Sequence, residues 1–170
     1  MFKLTKKFGA LLVAIATLTL TGAGFAQRHF MLSAPRPDVK VQLNAAVERD
    51  AKLMPLEKST IVNPGEILDW TITSENSGNA AALEYKTVGH IPRGTEFVAG
   101  SAKADHAKAV YSIDGGKNFS PQPTIEEKQA DGSIKRVPAP VSMYTDIRYE
   151  WADPLAQGGK LSASYKVRVK

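Results

Sequence analysis

Residues 63–101 read NPGEILDWTITSENSGNAAALEYKTVGHIPRGTEFVAGS, and their punctuation decides the fold. Pro64 presets φ and Gly65 accepts a positive φ, so Asn63-Pro64-Gly65 marks a turn. Leu68, Trp70 and Ile72 then alternate with Asp69, Thr71 and Thr73, the period-two signature of a strand with one buried and one wet face. Asn76-Ser77-Gly78-Asn79 interrupts that pattern. It is no glycosylation acceptor, because Gly78 stands where Ser or Thr is required. It reads as a hairpin corner, with Gly78 at positive φ and Asn76 and Asn79 hydrogen-bonding the turn backbone. A strand holding Leu83, Tyr85 and Thr87 follows, then a corner at Pro92 and Gly94, then a short strand over residues 96–99.

The same grammar extends in both directions. On the N-terminal side Val39, Val41, Leu43, Ala45 and Val47 alternate with Lys40, Gln42, Asn44, Ala46 and Glu48. Residues 52–64 carry two prolines and are expected to cross between sheets, with Ile61-Val62 as a short strand. On the C-terminal side Ala109, Tyr111 and Ile113 lead into Asp114-Gly115-Gly116, and Asp131-Gly132 marks a hairpin tip. Ile147, Tyr149 and Trp151 form another alternating run. A turn over residues 154–159 precedes the last one, Leu161, Ala163, Tyr165, Val167 and Val169. No 3.6-residue stripe follows residue 26, and the alanine-rich stretch 99–110 has room for no more than a short helical turn. The pattern is that of an all-β, antiparallel sandwich with tryptophans and tyrosines in its core.

Upstream of the strands, Lys3, Lys6 and Lys7 precede an apolar stretch from Phe8 to Leu20, and Gly24-Phe25-Ala26 offers small residues before Gln27. This is the layout of a secretory signal peptide, too short for a spanning helix. The expected organisation is a signal peptide over residues 1–26, a flexible arm over 27–38 and a sandwich over 39–170. The chain has 22 Lys+Arg and 17 Asp+Glu; removing the signal's three lysines leaves 19 basic residues, net +2. So small a balance gives no electrostatic reason to bind nucleic acid. The absence of cysteine excludes disulfides, thiolate metal sites and a cysteine nucleophile.

The 63–101 stretch resembles the bacterial and archaeal surface-protein module called "domain of unknown function 11". The shared pattern is the Pro-Gly-acid turn, a strand of apolar and Thr residues, Asn-x-Gly-Asn, an Ile-Pro-x-Gly-Thr corner and a Phe-Val-x-Gly-Ser strand end. Residues 144–169, YTDIRYEWADPLAQGGKLSASYKVRV, are similar to that family's closing strand pair. The resemblance covers residues 39–169. It implies an immunoglobulin-like β-sandwich of about seven to nine strands and a secreted or cell-surface location. It implies no activity, since the family has no catalytic motif to carry over. A single copy with no visible anchor departs from the repeated arrays of that family, which argues against a spacer role.

The chemical inventory is sparse. Residues 112–119, SIDGGKNF, fit the spacing of an Asp-box hairpin, in which Asp114 accepts turn N–H bonds and Gly116 takes the corner. His29, His90 and His106 show no zinc-binding spacing, and Asp105-His106 reads as a hydrated loop. Glu126 and Glu127 are neighbours on a strand and point to opposite faces, which is poor geometry for shared acid–base work. Asp114, Asp131 and Asp146 match no calcium loop. No nucleophile elbow or phosphate-binding glycine loop occurs, and Pro121 disfavours Asn118-Phe119-Ser120 as a glycosylation acceptor.

The reading assigns no catalytic residue, no cofactor and no metal ligand, and expects a non-enzyme. The structural turn residues are Pro64, Gly65, Asn76, Gly78, Asn79, Pro92, Gly94, Asp114 and Gly116. The expected role is that of an exported protein-interaction or surface-assembly module, periplasmic or at the cell surface. Sandwich edges accept partner strands, and Phe30, Met31 and Leu32 form a candidate interaction arm. A protein partner or self-association follows from that reading, with no nucleic acid and no transmembrane segment after signal cleavage. The alternative is a carbohydrate- or small-ligand-binding module using loop tips 74–80, 100–108 and 114–119.

Overall fold

A computed structural model describes residues 34–50, 52–57 and 60–170. The signal-peptide expectation and Phe30, Met31 and Leu32 lie outside the described residues. Among these residues eleven strands follow one another: β1 (Val39–Arg49), β2 (Lys52–Pro55), β3 (Ile67–Asn76), β4 (Lys86–His90), β5 (Thr95–Phe97), β6 (Lys103–Ala104), β7 (Ala107–Ser112), β8 (Thr124–Lys128), β9 (Ile134–Pro138), β10 (Asp146–Trp151) and β11 (Lys160–Val169). All pairings between them are antiparallel. The alternation seen in sequence thus gives an all-β sandwich. The strand number exceeds the expected seven to nine because it includes the short β2 and β6 and the separate β8–β9 hairpin.

One sheet has the order β2-β1-β3-β11-β5, with β6 also on β11; the other is β4-β10-β7. The exposed β8–β9 hairpin turns at Gly132, whose φ is 84°, as the Asp-Gly signal predicts. Leu68, Ile72, Ala163, Tyr165 and Val167 face Ile147, Tyr149 and Trp151 across the core. Each large side chain buried there is worth about 1.5–3 kcal/mol.

Two tyrosines tie the layers together reciprocally. The Tyr149 hydroxyl donates to the Ser164 carbonyl at 2.6 Å, and the Tyr165 hydroxyl donates to the His90 carbonyl at 2.7 Å. Burial pushes both phenols well above their ordinary pKa, and the Asp146 carboxylate adds to the effect at Tyr165. The Tyr165 ring passes directly beneath Gly89. A Cβ at residue 89 would lie 2.5 Å from its Cε1, so only glycine fits.

Three local expectations fail. Residues 52–64 do not cross between sheets, because β1, β2 and β3 share one sheet, and Ile61 is exposed rather than in a strand. The 99–110 stretch holds β6 and β7 and no helical turn. The 76–79 segment is not a hairpin corner: β3 and β4 belong to different sheets, so the chain crosses there. Leu83 is accordingly exposed, and Glu84 sits in a turn with φ 48°.

Candidate functional site

Residues 76–79 hold down the start of the described chain. The Asn76 side chain is fully buried; its amide donates to the carbonyls of Ala80 (2.7 Å) and Leu155 (3.0 Å). Its Oδ1 accepts the N–H groups of Asp38 and Gly78, both at 3.1 Å. Ser77 N–H donates to the Asp38 carbonyl at 2.8 Å, and Asn79 exchanges bonds with Arg36. Gly78 is not at positive φ, contrary to expectation. It is required because residues 36–38 pass against it. A Cβ there would fall 2.3 Å from Asp38 N and 2.5 Å from the Arg36 carbonyl oxygen.

This clamp aims β1 along the sheet, and among the described residues one edge of β1 is paired only at its far end. Residues 39–48 pair with β3, but only residues 46–49 pair with β2 on the other side. Backbone groups alternate in direction along a strand. The Asp38 carbonyl bonds Ser77 on the β3 side, while the Ala45 carbonyl accepts Leu56 N–H on the β2 side at 2.8 Å. Odd-numbered residues therefore direct their N–H and C=O away from β3. Val39, Val41 and Leu43 present six such groups with no strand beside them among the described residues. Pro35 and Pro37, which lack an N–H, stop the edge at one end, and Pro55 with Leu56 stops it at the other.

Among the described residues the face of the same segment is also uncovered. Tyr85 bonds Ser74 of β3, Tyr149 reaches β11, and Phe97 of β5 meets Tyr111 of β7 at 5.3 Å between ring centres. The three-stranded sheet thus lies over β3, β11 and β5, and β1 overhangs it. At the Arg49 end Leu56 and Val62 pack against the core, and Val47 is fully buried. At the other end Val41 and Leu43 are each 53 % exposed. Where β2 departs, a notch of about 440 Å³ opens at the edge, lined by Leu43, Asn44, Ala45, Ala46, Leu53, Pro55, Leu56, Asp69 and Thr71, so it is shared with the opposite face of the sheet.

The Asp-box residues make a closed turn. Asp114 Oδ1 accepts the Ser112 hydroxyl at 2.7 Å and the N–H groups of Lys117 and Asn118, while Oδ2 accepts the Asn118 amide. These bonds, the Asn118 N–H foremost, hold its carboxyl far below the usual range. Gly115 and Gly116 both take positive φ. Strand register brings His90, Asp146 and Ser112 into one row on the outer face, which no sequence spacing announces. His90 Nδ1 lies 2.9 Å from Asp146 Oδ1. The Ser112 hydroxyl is committed to Asp114 and accepts the N–H groups of Asp114 and Gly116, so the row does not form a nucleophile–base relay.

The remaining sequence candidates stay apart. Pro64 and Gly65 form the expected turn, with Glu66 N–H bonding the Asn63 carbonyl at 3.1 Å. Arg49 grips the Glu66 carboxylate at 2.6 and 3.1 Å, and with Asn63 N–H it lowers the Glu66 pKa to about 2. Pro92 and Gly94 form the second corner, where Gly94 has φ 80°. His106 occupies the turn between β6 and β7 at φ 54°, and Glu126 and Glu127 are exposed on β8. Among the described residues no three acidic or histidine side chains gather around a metal-sized site, and no helix is long and apolar enough to cross a membrane. No family model, curated protein or solved structure matches this chain.

Proposed function

We propose that this chain is an exported, non-enzymatic interaction module that takes an extended partner segment along the open edge of β1. The observation that carries the reading is the coincidence, at residues 39–43, of six outward main-chain groups and two half-exposed apolar side chains. An added strand would form up to six main-chain hydrogen bonds, each worth about 0.5–1.5 kcal/mol net. Its inward side chains would cover Val41 and Leu43 and set specificity. The signal-peptide pattern of residues 1–26 supports export, and the resemblance of residues 63–101 to secreted surface modules agrees with it.

A photo-crosslinking residue in place of Leu43 tests the proposal in the native host. Adducts of defined mass are expected at position 43, lost when Val41 is also changed to proline, and absent from a control at Ser162 on the opposite face. No adduct at position 43 would refute the reading. The glycan-binding alternative finds less support, because Trp70 and Trp151 both sit in strands packed on the core rather than at loop tips.

A further inference from the structure

We infer that the segment docking on β1 is residues 27–33 of a second copy of this chain, so that copies join head to tail. The inference rests on the docking edge proposed above and adds its occupant. Two features of the edge restrict what can fill it. The window spans only residues 39–43, closed by Pro35 and Pro37 at one end and by Leu56, bonded to Ala45, at the other. A long rigid strand, such as β1 of another copy, would collide with residues 55–56. A short terminal segment fits instead.

Residues 27–33, Gln-Arg-His-Phe-Met-Leu-Ser, become such a segment on removal of the proposed signal peptide, residues 1–26. In an extended strand Phe30 and Leu32 share one face, so both can lie beside Val41 and Leu43 while Met31 points the other way. Chain length decides whose segment it is. Residues 36–38 are fixed on residues 76–79, so a chain folding back on its own β1 must turn before Arg36. The tightest such turn, at residues 34–35, would set Phe30, Met31 and Leu32 opposite residues 39, 38 and 37. Even that turn is disfavoured, because Ala34 precedes a proline and is pushed towards extended backbone. A chain's own apolar triad therefore cannot reach Val41 or Leu43, whereas a neighbour's can. Each copy then offers one donor and one acceptor, the head-to-tail arrangement of a heterologous contact.

Complementary variants of the chain starting at Gln27 test this. Phe30→Asp/Leu32→Asp disables the arm and keeps the edge. Val41→Pro removes one outward N–H and keeps the β3 ladder; Val41→Lys serves as a second edge variant should proline disturb folding. In light scattering the unaltered chain is expected to form an open series of oligomers that grows with concentration. Each variant alone is expected to stay monomeric with an unchanged circular dichroism spectrum. A mixture of arm and edge variants should stop at the heterodimer, because one functional arm and one functional edge remain. A monomeric unaltered chain at near-millimolar concentration, or oligomers that survive the arm substitutions, would overturn the inference. If position 43 cross-links to a different protein while the unaltered chain stays monomeric, the docking edge stands and self-assembly falls.

Discussion

Replacing Gly89 by alanine isolates the contact that joins the two layers. The new Cβ would sit 2.5 Å from Tyr165 Cε1, 2.9 Å from Cζ and 3.0 Å from the hydroxyl oxygen. Tyr165 is fully buried, so its ring has no open space to enter. Overpacking of this kind costs about 1–3 kcal/mol. Displacing the ring also stretches the 2.7 Å bond from its hydroxyl to the His90 carbonyl, which is worth about 1 kcal/mol. The expected total is about 2–4 kcal/mol, or roughly 6–16 °C in Tm for a domain of this size. Urea unfolding followed by tryptophan fluorescence measures it. In a Tyr165→Leu background the clashing atoms are gone, and the same Gly89→Ala change should then cost less than about 1 kcal/mol. Equal penalties in both backgrounds would show that Tyr165 is not what excludes a side chain at residue 89.

Gly78→Ala should release residues 36–38 from the clamp, raising their amide exchange and proteolysis. The loss of about four hydrogen bonds should cost roughly 2–6 kcal/mol, with the sandwich retained. The Arg49–Glu66 pair should give the protein an acid-sensitive step. The Glu66 pKa is lowered from 4.5 to about 2, so its stabilisation is complete above pH 4.5 and disappears as pH falls through about 2. Glu66→Gln should flatten stability across that window, and a carboxyl titration by NMR checks the assignment. Asp114→Ala removes the acceptor of three turn donors. It should expose the loop over residues 113–119 to limited proteolysis while the sheets persist.

The fold was legible because period-two alternation reports directly on a half-buried strand. Leu68, Trp70 and Ile72, or Tyr165 and Val167, needed no context to be assigned to a core. The overhang of β1 was not legible. Val41 and Leu43 carry the same alternation as Val47, and the pattern is silent about how wide the opposing sheet is. The 76–79 segment misleads for a related reason. Asparagine, serine and glycine satisfy exposed backbone whether the chain hairpins or crosses between sheets, and Gly78 serves close approach rather than positive φ. Gly89 hides its role equally well. The row of His90, Asp146 and Ser112 needs strand register, which depends on pairings between residues far apart in the chain.

Residue-resolved amide exchange over β1, measured from dilute to concentrated protein, tests the docking edge most directly. In dilute solution the amides of Lys40, Gln42 and Asn44, directed at β3, should be protected, while those of Val39, Val41 and Leu43 exchange freely. On concentration, the three odd-numbered amides should become protected as a neighbour's arm covers them. Uniform protection across residues 39–44 in the dilute monomer, or odd-numbered amides that stay open at every concentration, would contradict the account.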